Sequence, residues 1–560
     1  MLSVIVILLG IILYAIAYWG YVKWFDRNVI MSDPKKETPA HTYMDGVEFF
    51  PSNKYVLFGF QWKSIAALGP VVGPIVALQW GWLPGLLWIL FGTIFIGWIH
   101  DYGSLIVSTR SEGTSFGPLT YELISPRART ILLWYILWYI ILILSSFTNV
   151  VAGLFKSYPV SPMPVLIVTI VGMIAGYMTY KLKVNIIYTT IVAVIIMFLG
   201  VWAGIAQPFT APLSATGPFP NSLDFWMFIT LLFCFLGAVL PIWVFIQPIN
   251  YLSFYLVYAG IIGIIIGAFI GTPNYQFPMT TAFFDPAITK TGPLWPMMFV
   301  TIACGAISGW HSLIGSSVSS KQLDTEPDAH FIGGGAMLAE GILALVALTA
   351  VAILNPAGVD NIGKAAGSFV VGGSTLLEYL GVPTSVGNAF TAVMLIILAI
   401  TIMHIGLRIT RLVLSDLSGP RFGGVFKNMY VSAIIVCAIV YLITSSHVGA
   451  VFSYIWGTFG GANQLMAGLA LMIISLWLTK EKRPTTYTVI PMLFMLVTTL
   501  SALTYLAYDG ITKYMATPEK IGFGIAAAVN VVLLILGLFM CYEGAKAFKR
   551  LRAKPEKTTA

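Results

Sequence analysis

What this 560-residue chain has least of is charge. Asp, Glu, Lys and Arg together make up 9% of it, where a soluble domain carries about 25%. So few charges cannot cover a water-facing surface. That excludes a soluble enzyme, a disordered chain and a nucleic-acid binder. Cysteine is scarce too. Cys234, Cys304, Cys437 and Cys541 sit in apolar stretches and form no CxxC pair. They offer no disulfide framework and no zinc signature, and read as small buried hydrophobes. No HExxH, GxSxG or Walker pattern appears, and Gly333-Gly334-Gly335 lacks phosphate-loop partners, so neither an ATPase nor another enzyme is expected. The start, Met1-Leu2-Ser3-Val4, has no positive n-region; residues 1–20 are expected to be a retained membrane helix rather than a cleaved leader.

What fills the sequence instead is long apolar runs, with 58% hydrophobic residues. A bilayer core of about 30 Å takes about 20 apolar residues per helix. Fifteen segments qualify, near 1–20, 60–80, 83–108, 130–155, 163–180, 184–206, 225–247, 250–271, 294–318, 332–354, 386–407, 429–445, 449–478, 487–507 and 521–541. The expected fold is an all-α polytopic membrane protein. Lys546, Lys549, Arg550, Arg552, Lys554 and Lys557 follow the last segment, which places the C-terminus inside and, with fifteen spans, the N-terminus outside. In that arrangement 24 of the 30 Lys and Arg fall on inside segments, five fall outside, and Lys63 lies within a span. The basic tail either orients the chain or rests on anionic headgroups of the bilayer.

Two membrane segments carry unusual Gly/Pro content: Gly69-Pro70-Val71-Val72-Gly73-Pro74 and Gly237-Ala238-Val239-Leu240-Pro241-Ile242-Trp243. Proline removes a helix hydrogen bond and glycine loosens the backbone. Each motif opens a set of five segments, the first set starting inside and the second outside. Paired breakable helices in inverted halves point to a secondary transporter with a midplane site, the LeuT-like 5+5 plan. The chain then divides into an N-terminal helix and cytoplasmic loop (1–59), a first repeat (60–206), a second, inverted repeat (207–407), and about four further helices with the tail (408–560).

These residues also resemble a known family. Gly69–Pro74 is similar to the GPLVGP core of the carbon starvation protein A (CstA) family. Leu83-Pro84-Gly85 with Trp88, and Asp101-Tyr102 ahead of Ser108-Thr109-Arg110, fit the same pattern. Val239–Trp243 resembles its VLPVW, with Tyr251-Leu252-Ser253 downstream. Ser308-Gly309-Trp310-His311 matches its SGWH, and Phe459-Gly460-Gly461-Ala462-Asn463-Gln464 its FGxANQ. The matches run in order from about 55 to 480. The resemblance implies an inner-membrane permease of the amino acid–polyamine–organocation type, tied to peptide uptake in nutrient limitation, with relatives that take up pyruvate. The sequence departs at Phe60-Gln61, where the family has a histidine pair; at Lys63, in place of a small residue; at Ile249-Asn250, in place of Arg-Asp; and at His404, in place of Asp.

The expected function is secondary active import of short peptides, with a proton- or sodium-coupled pyruvate or amino-acid permease as the alternative and a membrane-embedded nutrient sensor or enzyme ranked below both; the coupling partner is a proton or a bound Na+, and no other cofactor or resident metal is expected. Half-helix N-termini carry partial positive charge and suit a carboxylate. Gly69, Val71, Val72 and Gly73 are therefore the expected substrate contacts, with Gly237, Leu240 and Trp243 opposite; Trp243 reads equally as a packing aromatic. Ser308, Ser312 and Ser316 recur at i, i+4 on the 294–318 segment. In LeuT-like transporters a sodium site joins the first break to hydroxyls on the eighth helix, which makes Ser316 and Ser317 the ion candidates unless these serines bond back to their own helix. His311 and Glu340 are ionisable groups within spans, expected to exchange a coupling proton. Asp101 is expected to pair with Arg110 or Arg408, as a gate or a structural tie. His404 and Arg408, at i, i+4, face one way. Lys63 is expected to snorkel to the inner mouth, and the loop Asp324-x-Glu326-x-Asp328-x-His330 to be a solvated turn rather than a metal site.

Overall fold

The computed structural model describes all residues except 1, 47, 213–218, 220, 357–361, 419–423, 446–451 and 554–560. Lys554 and Lys557 of the basic tail, and the first residues of the 449–478 segment, lie outside the described residues. Apart from one isolated bridge between Ser52 and Leu323, the described regular structure is helical: α1 (Leu2–Ile30), α2 (Lys54–Ile65), α3 (Gly69–Trp80), α4 (Trp82–Thr109), α5 (Phe116–Leu123), α6 (Pro126–Ser157), α7 (Pro162–Tyr180), α8 (Ile186–Ala206), α9 (Ser222–Val239), α10 (Ile246–Gly271), α11 (Gly309–Ser317), α12 (Glu326–Ala352), α13 (Ile362–Glu378), α14 (Thr384–Leu417), α15 (Met429–Thr444), α16 (Phe452–Lys480), α17 (Thr486–Ala516) and α18 (Ile521–Ala553). Among the described residues, 12 helices are long and apolar enough to cross a membrane, or up to 13 if α2 and α3 form one span bent by 48°. The protein is a multi-pass membrane protein.

Local chemistry sets the helix ends. In α2, α8, α9 and α15 the preceding Asn (53, 185, 221 and 428) accepts a first-turn backbone N–H. Ser125 does the same for α6, whose Pro126 sits where no N–H is needed. Gly81, at φ 96°, makes the sharp turn from α3 to α4, and a Cβ there would lie 2.5 Å from the Met279 carbonyl.

Helices α6, α14 and α16 form the centre. α14 packs against α6, α9, α10, α13 and α15, and α16 packs against α4, α6, α11, α17 and α18. The α7–α8 hairpin lies outside this centre and turns Leu166, Ile170, Ile174, Ile187, Ile191, Ile195 and Leu199 outward, the apolar face that a bilayer requires.

Two breaks differ from the expected ones. The first falls at Ala66–Leu68, just ahead of the Gly/Pro motif. Pro70 opens α3 rather than breaking it, because a first-turn residue needs no N–H. The second break is not at Gly237–Trp243. There α9 simply ends at Val239, Leu240 is extended, and α10 starts at Ile246. The interrupted helix is the 294–318 segment: short pieces Leu294–Met298 and Phe299–Thr301, an irregular stretch from Ile302, then α11. Two helices, the short α5 and the longer α13, lie outside the expected segments.

Candidate functional site

The two breaks lie against each other. A Cβ on Gly69 would collide with Cys304 Sγ, and one on Gly73 would come within 2.6 Å of the Thr301 carbonyl oxygen. Glycine at both positions lets the backbones meet. A break in lipid frees backbone groups that must find partners, and side chains from elsewhere supply them. Trp310 Nε1 donates to Ser64 O at the end of α2 (2.8 Å). Asn463 Nδ2 donates to Ala303 O (2.6 Å), while its Oδ1 accepts from Trp310 N (3.2 Å), Ser308 Oγ (3.1 Å) and Tyr139 Oη (2.5 Å). Gln464 Nε2 donates to Phe299 O (2.8 Å) and Ile302 O (3.0 Å), and Thr93 Oγ1 to Gly305 O (3.1 Å).

Beside the second break lies a buried cluster of titratable groups. Asp101 from α4 accepts from two imidazoles, with Oδ1 2.7 Å from His100 Nδ1 and Oδ2 2.8 Å from His311 Nδ1. The other face of His311, at Nε2, is 3.0 Å from Glu340 Oε2 on α12. All four side chains are fully buried. His311, on the helix that follows the second break, thus stands between carboxylates of two helices. A proton on its ring has a carboxylate on either side.

The sequence picked Asp101, His311 and Glu340 but gave Asp101 other partners. Arg110 instead grips Glu326 (Nε to Oε1 3.0 Å, Nη2 to Oε2 2.7 Å) and the Ile30 carbonyl (2.9 Å). Arg408 donates to Leu240 O (3.3 Å). Asp101 is too deep in α4 to reach either arginine, and the nearer imidazoles take its oxygens. Glu326 is correspondingly buried rather than solvated; Asp324 pairs with His41 and Asp328 with Lys54. Among the described residues no group of His, Cys, Asp and Glu is placed to hold a metal ion.

Ser312 and Ser316 donate back to Gly309 O and Ser312 O, and Ser308 goes to Asn463. Val71 and Val72 are buried in the first turns of α3. Gly237, Leu240 and Trp243 do not face the first break. Gly237 abuts His404 on α14, and the Trp243 ring lies 5.4 Å from Lys181 Nζ. Lys63 does not snorkel; it is buried and donates to Thr401 Oγ1 (2.6 Å). Sequence reasoning quoted Asn463 and Gln464 without giving them a role, and missed Tyr139, Thr93 and Thr401. Two adjacent amides inside an apolar run were the available signal for the first pair.

The model of the family "Carbon starvation protein CstA" matches residues 2–369 and 357–502. The "Peptide transporter CstA" of Bacillus subtilis is 29% identical over 99% of this chain and 98% of its own length, and that of Escherichia coli 30% identical over 92% and 82%. The "Pyruvate/proton symporter BtsT" of Escherichia coli is 33% identical over 63% of this chain and 49% of its own length. A crystal structure of an Eremococcus coleocola manganese transporter variant, 12% identical, superposes with a TM-score of 0.51 over 90% of this chain and 99% of that one, a LeuT-like fold neighbour. This chain belongs to the CstA carbon starvation family of membrane transporters.

Proposed function

We propose that the protein imports short peptides across the cytoplasmic membrane by alternating access, driven by protons. The observation that carries this reading is His311 held between Asp101 and Glu340 beside the second break. Two of these residues ride on helices α4 and α12, and the third on the half-helix after the second break. A proton bound there ties three elements together, and its release lets them part. The peptide-transporter relatives supply the solute. Pyruvate is the second reading, favoured by the match to the pyruvate/proton symporter. A Na+ site at Ser316 and Ser317 has less support, because the Ser316 hydroxyl is committed to Ser312 O. Gly69, Val71, Val72 and Gly73 remain the proposed walls of the solute site. Gly237, packed on His404, stays a proposed neighbour of that site, and Leu240 and Trp243, turned to Arg408 and Lys181, are not proposed for it.

The proposed frame has fifteen crossings, with the N-terminus outside and the C-terminus inside. Packing supports a revised repeat. α2–α3, α4, α6, α9 and α10 form one half; the interrupted 294–317 helix, α12, α14, α15 and α16 form the other. α10 packs on α2 and α14 as α16 packs on α11 and α6, and both α9 and α15 pack on α6 and α14. The α7–α8 hairpin and α13 are then insertions, which is why an even count of segments misplaces the second half.

The test is uptake of labelled trialanine into proteoliposomes under an imposed inward proton gradient, with unlabelled pyruvate as competitor. Gradient-driven uptake insensitive to pyruvate is the expected result. Glu340→Gln is expected to abolish accumulation while keeping trialanine exchange without a gradient. Accumulation by Glu340→Gln at the wild-type level would refute the coupling role.

A further inference from the structure

We propose that Lys63 holds the carboxylate of the transported solute, an assignment that rests on the reading of this protein as an importer of small carboxylates. Lys63 lies near the end of α2, three residues ahead of the first break at Ala66. Its side chain is 1% exposed. One N–H is spent on Thr401 Oγ1 (2.6 Å). The Thr401 hydroxyl is itself spent on Ile397 O (2.6 Å), so the amine is the donor in that pair, and its other N–H groups have no acceptor among the described residues. No carboxylate among the described residues forms a salt bridge with it. Of the buried acids, Asp101 is hydrogen-bonded to His311, and Glu340 faces the same ring at ion-pair distance (3.0 Å) with an alignment short of a hydrogen bond.

The surroundings add more donors and no acid. His404 sits one turn from Thr401 on α14 and is fully buried, and neither ring nitrogen has a partner. Its ring stacks on Phe233 at 5.8 Å and meets Phe245 edge-on at 6.0 Å. Ser64 Oγ, the neighbour of Lys63, is also buried without a partner. α3 starts just past the same break and directs its positive end there. A buried amine without a counter-ion is costly in a membrane interior, and such groups mark solute pathways. A carboxylate at this point would supply the missing charge and accept the free N–H groups. A neutral amide end would accept an N–H but supply no charge, and a cationic end would do neither. The solute would then sit between the Lys63 amine on α2 and the proton cluster on α4, α11 and α12.

The test is binding to the purified full-length protein, read by thermal unfolding, with four probes: trialanine, trialaninamide, pyruvate and pyruvamide. Wild type is expected to bind trialanine about tenfold more tightly than trialaninamide, the scale of one charge-assisted hydrogen bond; pyruvate and pyruvamide are the control pair for the pyruvate reading. Lys63→Met and Lys63→Gln are expected to lose that preference, the acid falling to the level of the amide. Two neutral replacements of different polarity guard against misfolding, which unfolding without ligand reports. A variant that keeps the acid preference overturns the role of Lys63 and leaves the peptide reading standing. Acid preference for pyruvate without any binding of trialanine supports Lys63 and overturns the peptide reading. Wild type that does not distinguish acid from amide, or binds none of the four, overturns the assignment.

Discussion

Asn463 shows how single side chains keep a broken helix stable in lipid. Its amide holds one freed carbonyl and gathers an N–H and two hydroxyls at once. An unsatisfied buried polar group costs about 1–3 kcal/mol, so Asn463→Ala is expected to lower stability by several kcal/mol, measured by thermal unfolding in detergent. Asn463→Asp, which loses the donor to Ala303 O and buries a charge, is expected to be no better. At this scale the sequence named the right titratable residues but not their partners. Asp101 looks like a partner for arginine because arginines are the usual counter-ions. Depth along the helix decides otherwise: Arg110 sits at the end of α4, level with Glu326, and Asp101 two turns further in, level with His311. Spacing along one helix carries no information about which of fifteen segments stands opposite. The expected snorkelling of Lys63 fails for the same reason, since its acceptor lies on α14.

At the scale of elements, the expected segments all carry helix, because long apolar runs in lipid have few other options. What the runs could not show was where a helix breaks. Prolines draw attention to 69–74 and 237–243. Yet Pro70 is tolerated in a first turn, and Pro241 falls in a connection between helices. The stretch that breaks, Ile302–Ile307, contains no proline; it is opened by partners on α4 and α16. Amphipathic α13 is hard to see in the sequence because Gly367, Gly372 and Gly373 dilute its apolar pattern. The close approach of the breaks gives a direct prediction. Gly73→Ala forces a Cβ against the Thr301 carbonyl and is expected to reduce thermal stability and uptake together. Gly153→Ala, where nothing lies within 4 Å, is expected to change stability by no more than about 1 kcal/mol.

Across the whole molecule the segments assigned to one side meet one another. Arg110 joins α1 to the start of α12, Arg483 reaches the Val29 and Ile30 carbonyls, Lys480 pairs with Glu122, and Arg550 donates to Leu123 O. At the opposite end Ser3 bonds Pro273 O, Trp82 bonds Pro278 O, and Trp80 bonds Gly292 O. The grouping of loops by end is legible in the sequence because charge is rare and collects in the loops. The proposed orientation is checked by labelling single cysteines with an impermeant maleimide in intact cells. Glu519→Cys is expected to react, and Glu481→Cys only after permeabilisation; the reverse pattern would invert the topology.

Coupling between the His311 cluster and solute movement is the centre of the account, and proton flux reads it most directly. Proteoliposomes without an imposed gradient are given trialanine on the outside, and external pH is followed. Wild type is expected to alkalinise the medium as the peptide enters, and Glu340→Gln to admit peptide without any pH change. Entry of trialanine into wild-type vesicles with no accompanying proton uptake would contradict the account.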